Sequence, residues 1–312
     1  MIISASRRTD IPAFFTPWFM NRIRAGFCTV PNPYNSRQVS RISLRPEDVD
    51  AIVFSTRNPR PLFPHLDELD RRGFRYYFLI TLVNNPRAID PHSPSLRTAA
   101  EVIRRLAGSL GPQRVVWRYD PIVFSASTSP DYHLENFESI VRLLQGSTQR
   151  CVISILDDYR KARQRMAALQ RQGYRLLKGD ELEQAVVQTV PGLVQIAAQA
   201  GIEVTSCAET FNLVPMGVRP GSCIDADLLH ALFGLRLSWK KDPSQRAECG
   251  CVLSRDIGMY DSCLFGCQYC YATRDFALSA RNYRSHDPQS PSLLGWHLPN
   301  SPAAAGAQMR LF

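Results

Sequence analysis

The sequence predicts an α/β fold: a (β/α) barrel, closed or nearly closed, with a cysteine-rich C-terminal region after it. Three observations carry this. Over the first 206 residues, seven short β-rich runs alternate with longer amphipathic segments, the pattern of parallel strands with helices outside. Seven such strands suit a barrel better than an open sheet, and no glycine-rich phosphate loop follows any of them. Beyond residue 206 the alternation stops and cysteines appear.

Strands are expected at 1–5, 38–43, 51–55, 75–82, 114–118, 150–156 and 202–206. Thr16-Pro17 opens the first helix, with threonine as N-cap and proline at the first helical position. Further helical patterns run over 96–110, 131–144 and 158–171, up to residue 200, and over 225–233. The expected divisions are a barrel domain at 1–206, a cysteine-rich cluster-binding region at 207–285, and a tail at 286–312. The tail is rich in Pro, Ser and Ala, and its last dozen residues are expected to be disordered.

With 312 residues, 45% of them hydrophobic and 21% charged, the chain has ample material for a sizeable core. No apolar run approaches the roughly 20 residues of a membrane helix. The first apolar stretch is too short for a secretory leader, and its charges follow it instead of preceding it. The expectation is a cytoplasmic protein with no membrane partner. A net charge of +9 suits nucleic acid or another anionic partner. The plainer reading is that arginine-rich helices such as 158–172 are solvated faces, since no Lys/Arg block exceeds a few residues. His65, His92 and His133 read as loop or surface-helix residues, and His286 as a tail contact.

Of nine cysteines, Cys249, Cys251, Cys263, Cys267 and Cys270 crowd into one short stretch. In a reducing compartment such crowding argues for metal ligation over disulfides. Cys28 and Cys151 lie apart in apolar, strand-like surroundings and read as small buried hydrophobes. The sharpest signal is Ser262-Cys263-Leu264-Phe265-Gly266-Cys267-Gln268-Tyr269-Cys270. Three thiolates at this spacing can ligate three irons of a cubane, and Gly266 lets the backbone turn close to it. A protein-saturated [4Fe–4S] cluster takes four thiolates, so three leave one iron open to an exogenous ligand. A structural zinc knot with a fourth ligand elsewhere is the other reading.

That spacing, with an aromatic residue before the last cysteine, resembles the radical S-adenosylmethionine (SAM) motif. The resemblance implies that Cys263, Cys267 and Cys270 hold the cluster, that the open iron binds the amino and carboxylate groups of SAM, and that Tyr269 lies near the adenine. One electron from the cluster would then cleave SAM to a 5′-deoxyadenosyl radical. Two features depart from that superfamily. There the cysteines follow the first barrel strand, whereas here they stand near the C-terminus, and no Gly-Gly-Glu-type segment is present to hold the SAM amine. An appended or permuted loop capping the barrel mouth restores the geometry, with Asp10, Asp120 or Glu209 holding the amine.

The whole chain also resembles an uncharacterised bacterial family, domain of unknown function 1848. The resemblance rests on residues 3–12 (Ile-Ser-Ala-Ser-Arg-Arg-Thr-Asp-Ile-Pro), Trp117-Arg118-Tyr119-Asp120-Pro121, Cys207-Ala208-Glu209, Gly221-Ser222-Cys223-Ile224-Asp225, Glu248-Cys249-Gly250-Cys251 and His286-Asp287-Pro288. It gives no substrate.

Cys207, Cys223, Cys249 and Cys251 form a second set, enough for an auxiliary [4Fe–4S] cluster or a four-thiolate zinc. Barrel function sits at the C-terminal ends of strands. Those ends read Arg7-Arg8-Thr9-Asp10, Thr56-Arg57-Asn58, Thr81 and Asn84, Arg118-Tyr119-Asp120, Asp157 and Glu209. Arg7, Arg8, Arg57 and Asn58 are the candidate substrate ligands, the arginines matching a carboxylate or phosphate. Arg118 and Asp120 are the candidate catalytic pair, or else they pair with each other to close the barrel top. The expected function is a radical SAM-like enzyme served by a flavodoxin or ferredoxin-type reductant, acting on a small or nucleic-acid-derived substrate. Its rival is a non-catalytic iron–sulfur or zinc module associated with nucleic acid.

Overall fold

Six of the seven expected strands lie side by side in one parallel sheet. The computed structural model describes residues 1–237 and 240–299. The expected disorder of the last dozen residues falls outside that range. In chain order the strands are β1 (Ile2–Ala5), β2 (Phe27–Asn32), β3 (Asn35–Ser43), β4 (Ala51–Thr56), β5 (Tyr76–Thr81), β6 (Val115–Ile122), β7 (Arg150–Ile155), β8 (Glu203–Cys207), β9 (Arg219–Gly221) and β10 (Arg255–Asp256). The eight-stranded sheet has the order β10-β1-β4-β5-β6-β7-β8-β9, parallel throughout. Both edge strands come from the cysteine-rich region. They are not hydrogen-bonded to each other, but Val252 N, just before β10, donates to Ile224 O, just after β9, at 3.1 Å.

The run at 38–43 is a correction. It belongs to β3, which pairs antiparallel with β2 outside the main sheet. Its apolar positions are sparse and most of its residues are exposed, as suits a one-sided hairpin and not a strand buried on both faces.

The helices are α1 (Ile11–Phe14), α2 (Thr16–Ala25), α3 (Leu66–Arg71), α4 (Leu96–Leu110), α5 (Pro130–Leu144), α6 (Arg163–Arg171), α7 (Asp180–Gln199), α8 (Ala226–Phe233) and α9 (Phe276–Arg284). Ser95, Ser129, Asp225 and Asp275 cap α4, α5, α8 and α9 by accepting from backbone N–H groups in the first turn. Thr16 does not cap α2. It lies inside the helix, and its hydroxyl donates back to Pro12 O at 2.8 Å. Among the described residues no helix is long and apolar enough to cross a membrane.

Strand periodicity divides the core. Ile3, Ile52, Phe54, Phe78, Trp117, Ile153 and Val204 face α2, α4, α5 and α7, meeting Phe19, Ile103, Phe137 and Leu193. Their neighbours Ile2, Ala51, Val53, Tyr77, Leu79, Val116 and Val152 point to the other face. There they meet α8 and the segments carrying Cys223, Cys249 and Cys251.

His133 corrects its surface reading, for it is fully buried in α5. Its Nδ1 meets the Tyr119 hydroxyl at 2.8 Å and its Nε2 meets Val123 O at 3.1 Å, so the neutral ring satisfies both partners. Burial pushes its pKa down to about 4. The unfolded chain therefore takes up the proton first, and stability falls as pH drops from about 6.5 towards 4, by about 3 kcal/mol for this group. Denaturant unfolding from pH 7 to 4 is expected to show that loss, and His133→Gln is expected to flatten it.

Candidate metal centre

The last strand is held to the first by one carboxylate. Asp256 accepts from Ser4 Oγ (3.0 Å), Ser6 Oγ (2.9 Å), Arg7 N (2.7 Å), Arg8 Nε (3.1 Å) and Gly258 N (2.9 Å). Burial alone would raise its pKa, but Arg8, Arg7 and the backbone donors outweigh burial and hold it below the usual range. The chain then passes Ser6 so closely that a Cβ on Gly258 would stand 2.0 Å from Ser6 Oγ. From this junction it runs directly into the Cys263–Cys270 loop.

That loop lies over the C-terminal ends of the strands. Gln268 N donates to Ile89 O (3.0 Å) and His92 N to Phe265 O (3.3 Å), tying it to the segment after β5. Phe265 packs on Phe14 of α1 at 4.7 Å between ring centroids. Arg165 of α6 donates through Nε to Gln268 O (2.9 Å) and through Nη2 to Cys270 O (2.6 Å). Arg165 is thus a clamp, and the reading of that helix as only a solvated face is corrected. The turn at Gly266 has φ +70°, and a Cβ there would press within 3.1 Å of the His92 ring.

Tyr269 is buried under the loop. Its hydroxyl donates to Asp90 Oδ2 at 3.1 Å and accepts from Arg57 Nη2. Arg57 also binds Ser93 Oγ at 2.8 Å and pairs with Asp90 at 3.4 Å. A guanidinium thereby sits within electrostatic reach of Cys267 and Cys263. Burial pushes the Cys263 thiol up to about 12, and Cys267 well above its ordinary value. Without a metal these sulfurs are neutral thiols; a bound metal would make them thiolates.

The second cysteine set lies on the face of the sheet opposite α2, α4, α5 and α7, its inner face. Cys207 ends β8, Cys223 follows β9, and Cys249 and Cys251 precede β10. The Cys207 and Cys223 sulfurs are 2.9 Å apart. Cys251 Sγ accepts from Ile224 N at 3.4 Å. Cys28 and Cys151 are fully buried in the main core, far up their own pKa scales through burial. Among the described residues no group of three or more His, Cys, Asp or Glu side chains can hold a metal ion as it stands. A cubane, by contrast, spreads its thiolates over separate irons instead of gathering them round one ion.

The other predicted residues divide by how fully the fold uses them. Asp10 caps α1 and accepts from Ala13 N (3.0 Å), Thr56 Oγ1 (2.7 Å) and Arg57 N (2.6 Å), while burial lifts its pKa to about 6. Glu209 accepts three backbone N–H groups, from Ile155, Thr210 and Phe211, and burial raises it. Asn58 accepts from Arg60 N at 3.2 Å. Arg8 binds the carboxylate and the carbonyl of Asp256. Arg118 and Asp120 pair with each other, and Asp120 also accepts from Ser154 Oγ. Arg57, Thr81, Asn84 and Asp90 line a cavity of about 40 Å³, room for a water or two.

Sequence reasoning missed Asp90, Arg165, Asp256 and Tyr271. Tyr271 follows the last cysteine, stands within reach of Cys270 and Arg118, and donates to Arg7 O at 2.6 Å. Its place directly after the motif was the available signal.

The fold and site together define a class: a parallel α/β protein whose strand ends are covered by a three-cysteine loop, with four further cysteines on the inner face of its sheet. The chain belongs to the family described as Domain of unknown function (DUF1848), which matches residues 2–272. All seven cysteines of the two sets fall inside that span, and the His286-Asp287-Pro288 segment lies beyond it. No curated protein matches the sequence.

Two substitutions test this geometry. Tyr269→Phe leaves Asp90 and Arg57 without their shared hydroxyl and is expected to cost about 1–3 kcal/mol in urea unfolding. Gly258→Ala forces the Ser6 side chain away from Asp256 and is expected to cost at least as much, since it breaks a hydrogen bond to a largely buried carboxylate.

Proposed function

We propose that the protein is a radical SAM-like iron–sulfur enzyme carrying a [4Fe–4S] cluster on Cys263, Cys267 and Cys270. The observation that carries this reading is the position of the motif in space. In the radical SAM superfamily the three cysteines follow the first barrel strand. Here they follow β10, which is last in the chain yet stands at an edge of the sheet, beside β1. The apparent departure from that pattern is thus a permutation of chain order. On this reading the sheet curls into a nearly closed barrel, with the Val252–Ile224 contact across the seam.

When bound, the cluster would supply one electron for reductive cleavage of SAM. The chain's own residues do the rest. Arg57, Asp90 and Tyr269 set the height of the loop over the strand ends, and Arg165 holds its backbone carbonyls. Asp10 and Glu209, whose oxygens serve backbone donors, hold the surrounding loops and so act on SAM indirectly. Arg118 and Asp120, with side chains 22% and 14% exposed, are the proposed catalytic pair facing an anionic or polar substrate. Cys207, Cys223, Cys249 and Cys251 hold an auxiliary cluster, and a cytoplasmic flavodoxin or ferredoxin supplies electrons.

Protein purified without oxygen is expected to be brown, with about eight irons and eight sulfides per chain. Replacing Cys263, Cys267 and Cys270 together by Ala is expected to remove about half, leaving the other set filled. A colourless protein with stoichiometric zinc would turn the reading to a non-catalytic metal module.

The loaded, dithionite-reduced protein is expected to release 5′-deoxyadenosine from SAM, detected by mass spectrometry, and SAM is expected to alter its electron paramagnetic resonance spectrum. Asp120→Ala is expected to keep the iron. Absence of both signals in fully loaded protein excludes the catalytic reading.

A further inference from the structure

Three buried nitrogen atoms on the inner face of the sheet have no acceptor. Arg7, at the end of β1, uses its backbone N on Asp256 and its Nη2 on Asp242 and Ser254. Its Nε and Nη1 are buried without a partner. Arg118, on β6, uses Nη2 on Asp120, and its Nε is buried without a partner. The charges here are matched, for Arg7 has Asp242, Arg8 has Asp256 and Arg118 has Asp120. What lacks a counterpart is hydrogen-bond acceptors. A donor left unmade in a dry interior is costly, and guanidinium donors more than neutral ones.

Three of the four cysteines, together with Tyr271, lie near these two side chains. Arg118 is in electrostatic reach of Cys223, Cys207 and Cys251, and Arg7 of Cys251. The residues that hold Arg7 flank that same cysteine: Asp242 N donates to Cys251 O at 2.9 Å, and Ser254 lies three positions on. Neutral thiols are weak acceptors. Metal-bound thiolates, and the sulfides of a cluster, are negatively charged sulfurs that accept N–H donors well. The 2.9 Å between Cys207 and Cys223 is closer than the roughly 3.8 Å that metal–sulfur bonds of about 2.3 Å impose on a tetrahedral site. Loading therefore moves these two sulfurs apart.

We infer that Arg7 and Arg118 are N–H···S donors to a metal–thiolate group held by Cys207, Cys223, Cys249 and Cys251. The inference rests on the proposed reading of that set as a metal site. It makes Arg7 and Arg118 positioning residues for the auxiliary group, acting on its retention and, in a cluster, its reduction potential. Hydrogen bonds to cluster sulfurs stabilise the more negative, reduced state and raise the potential.

The test uses the full chain purified without oxygen, with Cys263, Cys267 and Cys270 intact. Arg7→Gln and Arg118→Gln, singly and together, are compared with the unaltered protein for metal and sulfide content and for metal transfer to a chelator. Arg118→Lys keeps the charge but loses the Nε donor, and so separates charge from hydrogen bonding. Arg142→Gln, on the exposed face of α5, is the control. The double variant is expected to lose metal from the four-cysteine set at least about tenfold more readily, while the Cys263–Cys270 set keeps its own. Arg118→Lys, the change least able to disturb folding, is expected to retain metal but shift the potential of the auxiliary cluster downward.

Equal chelator transfer within twofold in the double variant, together with an unchanged potential in Arg118→Lys, overturns the inference. That outcome leaves the metal site itself standing, and points instead to a substrate anion as acceptor. A different outcome marks failure of the underlying reading: Cys207→Ala and Cys249→Ala then keep the full metal content of the unaltered protein, and the inference falls with the site.

Discussion

The carboxylate of Asp256 is the contact on which the rest of the arrangement depends. A two-residue strand cannot hold its own place by packing, for Arg255 and Asp256 bury little apolar surface. Five hydrogen bonds to one buried carboxylate do this instead, recruiting Ser4, Ser6, Arg7 and Arg8 from the opposite end of the chain. With Asp256 fixed, Gly258 threads past Ser6, and the cysteine loop starts from a defined point above the sheet. The same interaction, through the Arg7 backbone N–H, sets the path of the chain at Arg7.

The two cysteine sets have different surroundings, suited to different demands. The Cys263–Cys270 loop is bounded by aromatic rings and by two arginines, Arg57 and Arg165, that grip it through hydroxyl and carbonyl oxygens. Those contacts fix the backbone and leave the sulfurs to whatever binds there. The inner set is tied sulfur to sulfur and sits among apolar strand residues. A site that exchanges an exogenous ligand needs the first arrangement, and one closed by protein ligands suits the second.

Much of the fold was legible because burial on both faces leaves a plain signature. Ala51–Thr56 and Tyr76–Thr81 are nearly continuous apolar runs, and each proved to be a central strand. The edge strands left no such trace. Arg255–Asp256 is wholly charged, and Arg219–Gly221 is three residues long with a proline in its middle. The cysteine spacing was legible, while the place of the strand before it was not, because two charged residues carry no strand signal. Arginine proved the hardest residue to read. Arg57, Arg165 and Arg8 looked alike as candidates for ligands or solvated faces, and only contacts distinguish a loop support, a clamp and a strand tie.

The pairing of the last strand with the first also shapes how the molecule comes to be made. The partners Ser4 and Asp256 are separated by 252 positions, so β1 emerges from the ribosome long before the strand that covers its edge. At 5–20 residues per second that interval is about 13–50 s. During it the growing sheet exposes one unpaired backbone edge, an invitation to non-native pairing that the chain itself removes only once Asp256 has been made. Closure of this edge and arrival of the three-cysteine loop are the same late event. The loop therefore takes its place only on a sheet that is already built.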